Sequence, residues 1–312
     1  MTASGAQWPV LVPAAVPFVL GASSRWLARR AGARLSPAAA TALLTCLALT
    51  VALSTGLLLC LAAVIALAEA PGLSGLSHWS PSALRAMVPV PPAADDIGGA
   101  VAVLLLGSAA VHLVRVVRDA RRASAAAASL PRLGGDLSLL EDDAAIAYTI
   151  PGRHRRIVVS TGMLKHLSAD QRRALLAHEA SHLSHRHHRY VQLGRLAAAA
   201  NPFVRPVSRA IDLAVERWAD ESAAAEVGDR GTVARALAAA ALAAAAPPPP
   251  AQFAGSLDGA RTDVGRRVDF LLRPPARHRL GWALAAAGIV VCWAATFAAI
   301  EHIHYLMELS EG

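Results

Sequence analysis

The chain has 312 residues, of which 55% are hydrophobic and only 17% are charged, and its mean hydropathy is +0.42. This composition is too apolar for a typical soluble domain of the same length. The formal net charge is +8, but aromatic residues make up only 4% of the chain. A nucleic-acid-binding surface would combine a basic face with interleaved aromatic side chains, so we exclude nucleic acid as a partner.

Four apolar stretches predict transmembrane helices, because a helix needs about 20 residues to cross a bilayer. The predicted spans are about 6–24, 38–68, 97–117 and 279–300. The first carries no positive charge before Arg25, whereas a signal peptide has its positive charges in front, so we expect an uncleaved span. Residues 1–117 are thus predicted to form an N-terminal membrane region, and 301–312 a short extracellular tail.

The distribution of arginines predicts the orientation in the membrane. Arginines cluster after the first and third spans and before the fourth, whereas the loop at 69–96 has only Arg85 and the tail has none. By the positive-inside rule, residues 118–278 are cytoplasmic, and both termini are outside the cell membrane. The three cysteines lie in the apolar spans and show no disulfide or metal-ligand spacing.

The region 118–278 is predicted to be a mixed α+β domain. A helix is expected over 119–129, and three short strands over 137–140, 144–150 and 157–160, between Gly, Pro and Asp breaks. A strand beside the later helices could pair with an extended peptide, or the hairpin could only cover those helices. The apolar segment 193–200 is consistent with either a buried or an interfacial helix.

Two motifs carry the chemistry. His178 and His182 lie four residues apart, so on a helix they share one face and can hold one metal ion, with Glu179 as a general base. Glu216 and Asp220 have the same spacing. Glu216 is the expected third ligand, and Asp220 is expected to hold a ligand imidazole by its other ring nitrogen. Three protein ligands and an open position are typical of a catalytic zinc site.

A chance occurrence of the first motif must be considered, since the pattern arises in roughly one such chain in a hundred. Against chance, an apolar run leads straight into His178, and Ser168 with Gln171 offers a capping box that would begin a helix. The residues therefore favour a metal site with Zn²⁺ as the metal.

The segments 155–164 and 167–179 resemble the catalytic segment of the BlaR/MecR-type membrane metallopeptidases, and are similar to the HtpX-type membrane proteases that share this core. Residues 201–204 and 216–223 fit the same families, in which the Glu of an ExxxD motif completes the site. The resemblance spans about 140–230. It implies a gluzincin, and with the predicted spans a multi-pass α-helical membrane protein with a cytoplasmic α+β zincin-like metalloprotease domain.

The resemblance also implies the activity: zinc-dependent hydrolysis of peptide bonds in a protein or peptide substrate. By family analogy the substrate is a transcriptional repressor. We expect the chain to lack the penicillin-binding sensor domain of BlaR-type receptors, since only about a dozen residues follow Ile300 and the only lysine is Lys165. The protease would then act constitutively, or be gated by a sensor or regulatory partner or by the 69–96 loop. Two alternatives stay open: an HtpX-like quality-control protease, and a non-catalytic zinc-fold signalling protein.

Further polar residues near the motifs are expected to lie outside the site. His185, His187 and His188 are predicted to be surface residues, and Arg266, Arg267 and Arg277 to flank the membrane.

Overall fold

The computed structural model describes residues 8–26, 28–29, 35–68, 92–244, 264–273 and 279–309, and this part of the chain is mostly helical with one small sheet. In chain order the elements are α1 (Trp8–Ala22), α2 (Pro37–Ala68), α3 (Pro92–Ser129), β1 (Leu137–Leu140), β2 (Ala147–Ile150), β3 (Arg156–Ser160), α4 (Thr161–Lys165), α5 (Ala169–Ser184), α6 (His187–Ala200), a 3-10 turn (Pro202–Val204), α7 (Arg205–Val227), α8 (Arg230–Ala244), α9 (Val264–Leu272) and α10 (Arg279–Leu309).

Three helices of the described chain are long and apolar enough to cross a membrane. The qualifying segments are Pro37–Val64 in α2, Ile97–Ser129 in α3 and Ala286–Glu308 in α10. Helix α1 has 15 residues and is shorter than the about 20 that a span needs, so the first predicted span, 6–24, stays a prediction. The loop that bears Arg85 lies outside the described residues.

Helix α3 is longer than a bilayer is thick. Its 38 residues extend over roughly 57 Å, against about 30 Å of hydrocarbon. The predicted span at 97–117 and the predicted helix at 119–129 are therefore one continuous helix. A helix of this length that crossed a bilayer would project from it, and the Ser129 end of α3 leads directly towards the sheet.

The sheet has the strand order β1-β3-β2, with β1 parallel and β2 antiparallel to the central β3. The strand predicted at 137–140 is confirmed, but the one predicted at 144–150 begins only at Ala147. The reason is local hydrogen bonding. The Ile146 N–H donates to the Ser160 hydroxyl, and the Ala144 N–H donates to the Asp142 carboxylate. Every residue of β3 is buried.

The chain passes from β3 to α5 through two capped helix starts. Ser160 is fully buried and caps α4 by accepting from the Met163 N–H, and its hydroxyl also donates to the Ala144 carbonyl. Ser168 and Gln171 form the predicted capping box at the start of α5, with 3.3 and 2.9 Å between the bonded atoms. The direction of α5 is thus fixed at its first turn.

Helix α7 joins the membrane region to the rest of the fold. One of its faces packs on α2 through a buried cluster that includes Val207, Ile211 and Val215. Near its other end, Ala223 packs with Ala174 of α5 and with residues of α8 and α9. Small alanines on both helices let α5 and α7 approach closely. The two predicted motifs therefore lie on adjacent packed helices.

Candidate metal centre

The two motifs meet between α5 and α7. Helix α5 supplies His178, Glu179 and His182, and α7 supplies Glu216 and Asp220. All five side chains are buried or nearly so; the two imidazoles are 12% and 15% exposed and the Glu216 carboxylate is 29% exposed. The structure thus brings together every residue that the sequence predicts for the site.

The spacing of three donor atoms fits zinc. The Nε2 atoms of His178 and His182 are 3.1 Å apart, and the Glu216 oxygens lie 3.5 Å from the first and 3.7 Å from the second. Tetrahedral zinc with bonds of about 2.0–2.1 Å separates its donors by roughly 3.3 Å. The three donors therefore fit around one zinc ion, and they leave a fourth position for water or substrate.

Asp220 orients one of the two imidazoles. Its Oδ1 lies 3.0 Å from Nδ1 of His178, so it can accept the Nδ1–H while Nε2 faces Glu216. A metal-binding histidine commonly has such a carboxylate on its far nitrogen, which fixes its tautomer and its ring orientation. The sequence left open which histidine Asp220 holds, and the structure places it on His178.

Arg267 connects the two carboxylates, which corrects its predicted place beside the membrane. It is 4% exposed, and its Nε and Nη2 donate to the two Asp220 oxygens at 2.9 and 2.7 Å. Its Nη1 lies 2.9 Å from Oε2 of Glu216. This fork geometry is specific to arginine. Arg266, next to it on α9, is exposed, and Arg277 lies outside the described residues.

His187 supports the second imidazole, which corrects its predicted place on the surface. It is 1% exposed, and its Nδ1 lies 3.1 Å from Nδ1 of His182. Arg186 allows this contact because it takes a left-handed conformation, with φ of 55°, between α5 and α6. Of the two other histidines in this run, His185 is exposed as expected and His188 is half-buried.

The protonation states suit this hydrogen-bond chain. Burial lowers the pKa of His182 to about 4, and burial together with the nearby His182 lowers the pKa of His187 to about 3. Both imidazoles are therefore neutral at pH 7. If His182 binds a metal through Nε2, its Nδ1 carries the proton and donates it to Nδ1 of His187. Trp218 of α7 packs on His187, with ring centroids 4.8 Å apart.

The acidic groups of the site fall into two kinds. Burial raises the pKa of Glu179 to about 7, only partly offset by the nearby His178. Burial acts in the same direction on Glu216 and Asp220, but Arg267 and the histidines outweigh it and hold both pKa values below their usual range. The site therefore holds two carboxylates that stay ionised at neutral pH, beside one carboxyl that can exchange a proton near neutral pH.

His178 shows how strongly the site attracts positive charge. Burial lowers its pKa, but the hydrogen bonds to Asp220 and Glu216 outweigh that effect and raise it to about 10. A metal ion competes with this proton, because ligation needs the neutral imidazole. Two carboxylates surround this buried imidazole, and a divalent cation can neutralise their negative charge.

Sequence reasoning missed Arg267 and His187 for different reasons. Arg267 lies 47 positions after Asp220, and no local pattern connects the two. His187 is five positions after His182, but the left-handed Arg186 breaks the helix period on which the face of a residue is predicted.

Comparison with known proteins finds a family match in the middle of the chain. Residues 113–196 match the model of Peptidase family M48, a segment of about a quarter of the chain that runs from the end of α3 through α5 into α6. No curated protein and no solved structure matches the chain. The match includes His178, Glu179 and His182 but ends before Glu216. The segment that carries the first motif is thus similar to Peptidase family M48, which supports a membrane metalloprotease.

Proposed function

We propose that this protein is an integral membrane zinc endopeptidase of the M48 type. The observation that carries the proposal is the set of three donors, His178, His182 and Glu216, spaced for one zinc ion on two packed helices. Asp220 on His178 and His187 on His182 hold the two imidazoles with Nε2 towards Glu216. A structural zinc site would have four protein ligands, whereas the described residues place three at this one.

Each group of the site has a separate role in peptide hydrolysis. Bound zinc would supply Lewis-acid chemistry, which polarises a peptide carbonyl and acidifies water. Glu179 accepts the proton of the attacking water and passes it to the leaving amine, which suits a carboxyl with a pKa of about 7. Asp220 and Arg267 keep His178 and Glu216 in place throughout. The low exposure of the site limits its access to bulk water.

The strand β2 offers a way to hold the substrate. Within the described part of the chain it is an outer strand of the sheet, and it packs on α5, the helix that bears Glu179. An extended peptide can add to such an edge through main-chain hydrogen bonds, which favour no particular sequence. We propose that the scissile peptide binds in this way, rather than that the strand only covers α5.

The substrate is a protein at the cytoplasmic face of the cell membrane. The positive-inside pattern of the arginines supports this side for the site, with both chain ends outside. Family resemblance favours regulatory cleavage of a repressor-like protein, gated by a sensor or regulatory partner. The packing of α7 on α2 favours the second candidate, a quality-control protease that cuts membrane proteins, because it holds Glu216 close to a membrane helix.

The test compares wild-type protein with Glu179→Gln, both purified in detergent with their metal content measured. Unfolded casein, an unfolded membrane protein and a candidate repressor are the substrates. We expect about one zinc per chain in both proteins. Loss of the general base alone should lower kcat by about 10²–10⁴-fold in Glu179→Gln, with zinc retained.

A matched control is Glu221→Gln, one turn beyond Glu216 on α7, whose carboxylate pairs with Arg230 rather than with the site. It should cleave as the wild type does. Cleavage of casein by both variants at equal rates would rule out Glu179 as the base, and zinc-free wild-type protein would rule out the metal site. Cleavage restricted to the repressor, or extended to any unfolded membrane protein, separates the two candidate roles.

A further inference from the structure

An open cleft lies between the membrane helix α3 and the α6–α7 pair. Its volume is about 780 Å³, which is within the usual range for ligand-binding pockets of 300–1,000 Å³. Helix α3 lines it from Val103 to Arg115, a length of roughly 18 Å at 1.5 Å per residue. The cleft lies apart from the metal centre, and none of the five residues of that site lines it.

Small side chains keep the cleft open. Gly107 and Ser108 on α3 face Ala198 and Ala199 on α6 and Ser208 on α7. A methyl group added at Gly107 would meet no atom within 4 Å. Larger residues at these five positions would fill the space, so the cleft depends on the small side chains that the three helices bring together.

The chemistry of the lining changes along α3. It is apolar at Val103 and Leu104, which are 69% and 71% exposed and belong to a candidate membrane span. Further along come His112 and Arg115. The Nε2 atom of His112 is buried and has no hydrogen-bond partner among the described residues. The cleft therefore combines a membrane-facing apolar wall with groups that can donate hydrogen bonds.

Four arginines make the cleft strongly basic. Arg115 comes from α3, Arg195 from α6, and Arg205 and Arg209 from the first turns of α7. Among the described residues, the one carboxylate within ion-pair distance of this group is Asp212, 4.0 Å from Arg195. The first turn of α7 has no acidic residue, although the positive end of a helix favours one. The four arginines therefore repel one another, and an anion in the cleft would reduce this electrostatic repulsion.

We propose that the cleft binds an anionic phospholipid of the bilayer. Its phosphate accepts hydrogen bonds from the arginines, and an acyl chain lies along the apolar wall of α3. A bilayer lipid suits both parts, because the wall belongs to a candidate span and basic pockets between membrane helices bind anionic headgroups. Arg209 precedes Glu216 by two turns of α7, so the lipid would hold this helix at a fixed depth relative to the bilayer.

The test measures the binding of single lipids to the full chain in neutral detergent, by native mass spectrometry with phosphatidylglycerol and phosphatidylcholine. Neutral detergent removes the surface potential of a bilayer. We expect phosphatidylglycerol to bind at least about tenfold more tightly. The double variant Arg205→Gln/Arg209→Gln should lose roughly thirtyfold in that affinity, the equivalent of about 2 kcal/mol.

The matched control is Arg118→Gln/Arg121→Gln, which removes the same charge from α3 beyond the cleft and should change the affinity by less than about threefold. Equal losses in both double variants would show diffuse attraction and overturn the proposal. Gly107→Phe fills the cleft without changing the charge, and it should abolish binding while the unfolding temperature stays unchanged. Unaltered binding in Gly107→Phe, or displacement by inorganic phosphate, would overturn a lipid as the occupant. None of these readouts depends on peptidase activity.

Discussion

Replacement of Arg267 by methionine should destabilise the metal-free protein more than any surface change. The side chain is 4% exposed and makes two hydrogen bonds to Asp220 and an ion pair with Glu216. Methionine has a similar length but removes the cation that both carboxylates share, so that only His178 remains beside the two of them. Removal of one partner from a buried ion pair costs about 3–5 kcal/mol. Two carboxylates lose Arg267 here while His178 stays beside both, so we expect a loss within that range.

The assay is thermal unfolding of chelator-treated protein in detergent, followed by tryptophan fluorescence. A loss of about 3–5 kcal/mol corresponds to a fall in Tm of roughly 6–20 °C. Arg267→Lys keeps the charge but not the forked geometry of the guanidinium group, so its Tm should lie between those of Arg267→Met and wild type. Added zinc supplies positive charge at Glu216, so the difference in Tm between Arg267→Met and wild type should be smaller in the zinc-loaded protein.

The control is Arg266→Met on the same turn of α9, where the arginine is exposed. A surface substitution changes stability by about 0.5 kcal/mol or less, so its Tm should stay within about 2 °C of wild type. If Arg267→Met unfolded within the same 2 °C, the carboxylates would not depend on Arg267, and the electrostatic account of the site would be refuted.

Two further predictions concern the shape of the site and its support. His187→Ala removes the hydrogen-bond partner of His182 and should weaken zinc binding about 10–100-fold in a chelator competition, and an unchanged affinity would contradict the supporting role. Gly162→Ala should prevent folding, because its new methyl group would overlap the backbone carbonyl of Asp143. In Gly194→Ala the one contact closer than 3.4 Å is with Cδ1, the end of the Ile211 side chain, at 2.8 Å, so this variant should fold with a modest loss of Tm. Expression and unfolding of this pair in parallel tests the difference.

The sequence by itself determined the local elements and the main site residues. The four-residue spacing of His178 and His182 places them on one face of any helix, and the Ser168 cap shows where that helix begins. The apolar lengths of α2, α3 and α10 follow from composition alone, since a span is set by the thickness of the bilayer. These inferences hold because they depend on neighbours within a few positions along the chain.

Only the tertiary structure decided which groups support the ligands. Arg267 reaches Asp220 because α9 packs against α7, and His187 reaches His182 because Arg186 turns the chain left-handed. Both depend on contacts between elements, which composition and periodicity do not encode. The basic cleft beside Arg209 arises in the same way, from small residues on three helices that meet only after folding. Contacts within a few positions of the chain thus predicted the candidate metal ligands, and packing between helices gave the groups that hold them in place.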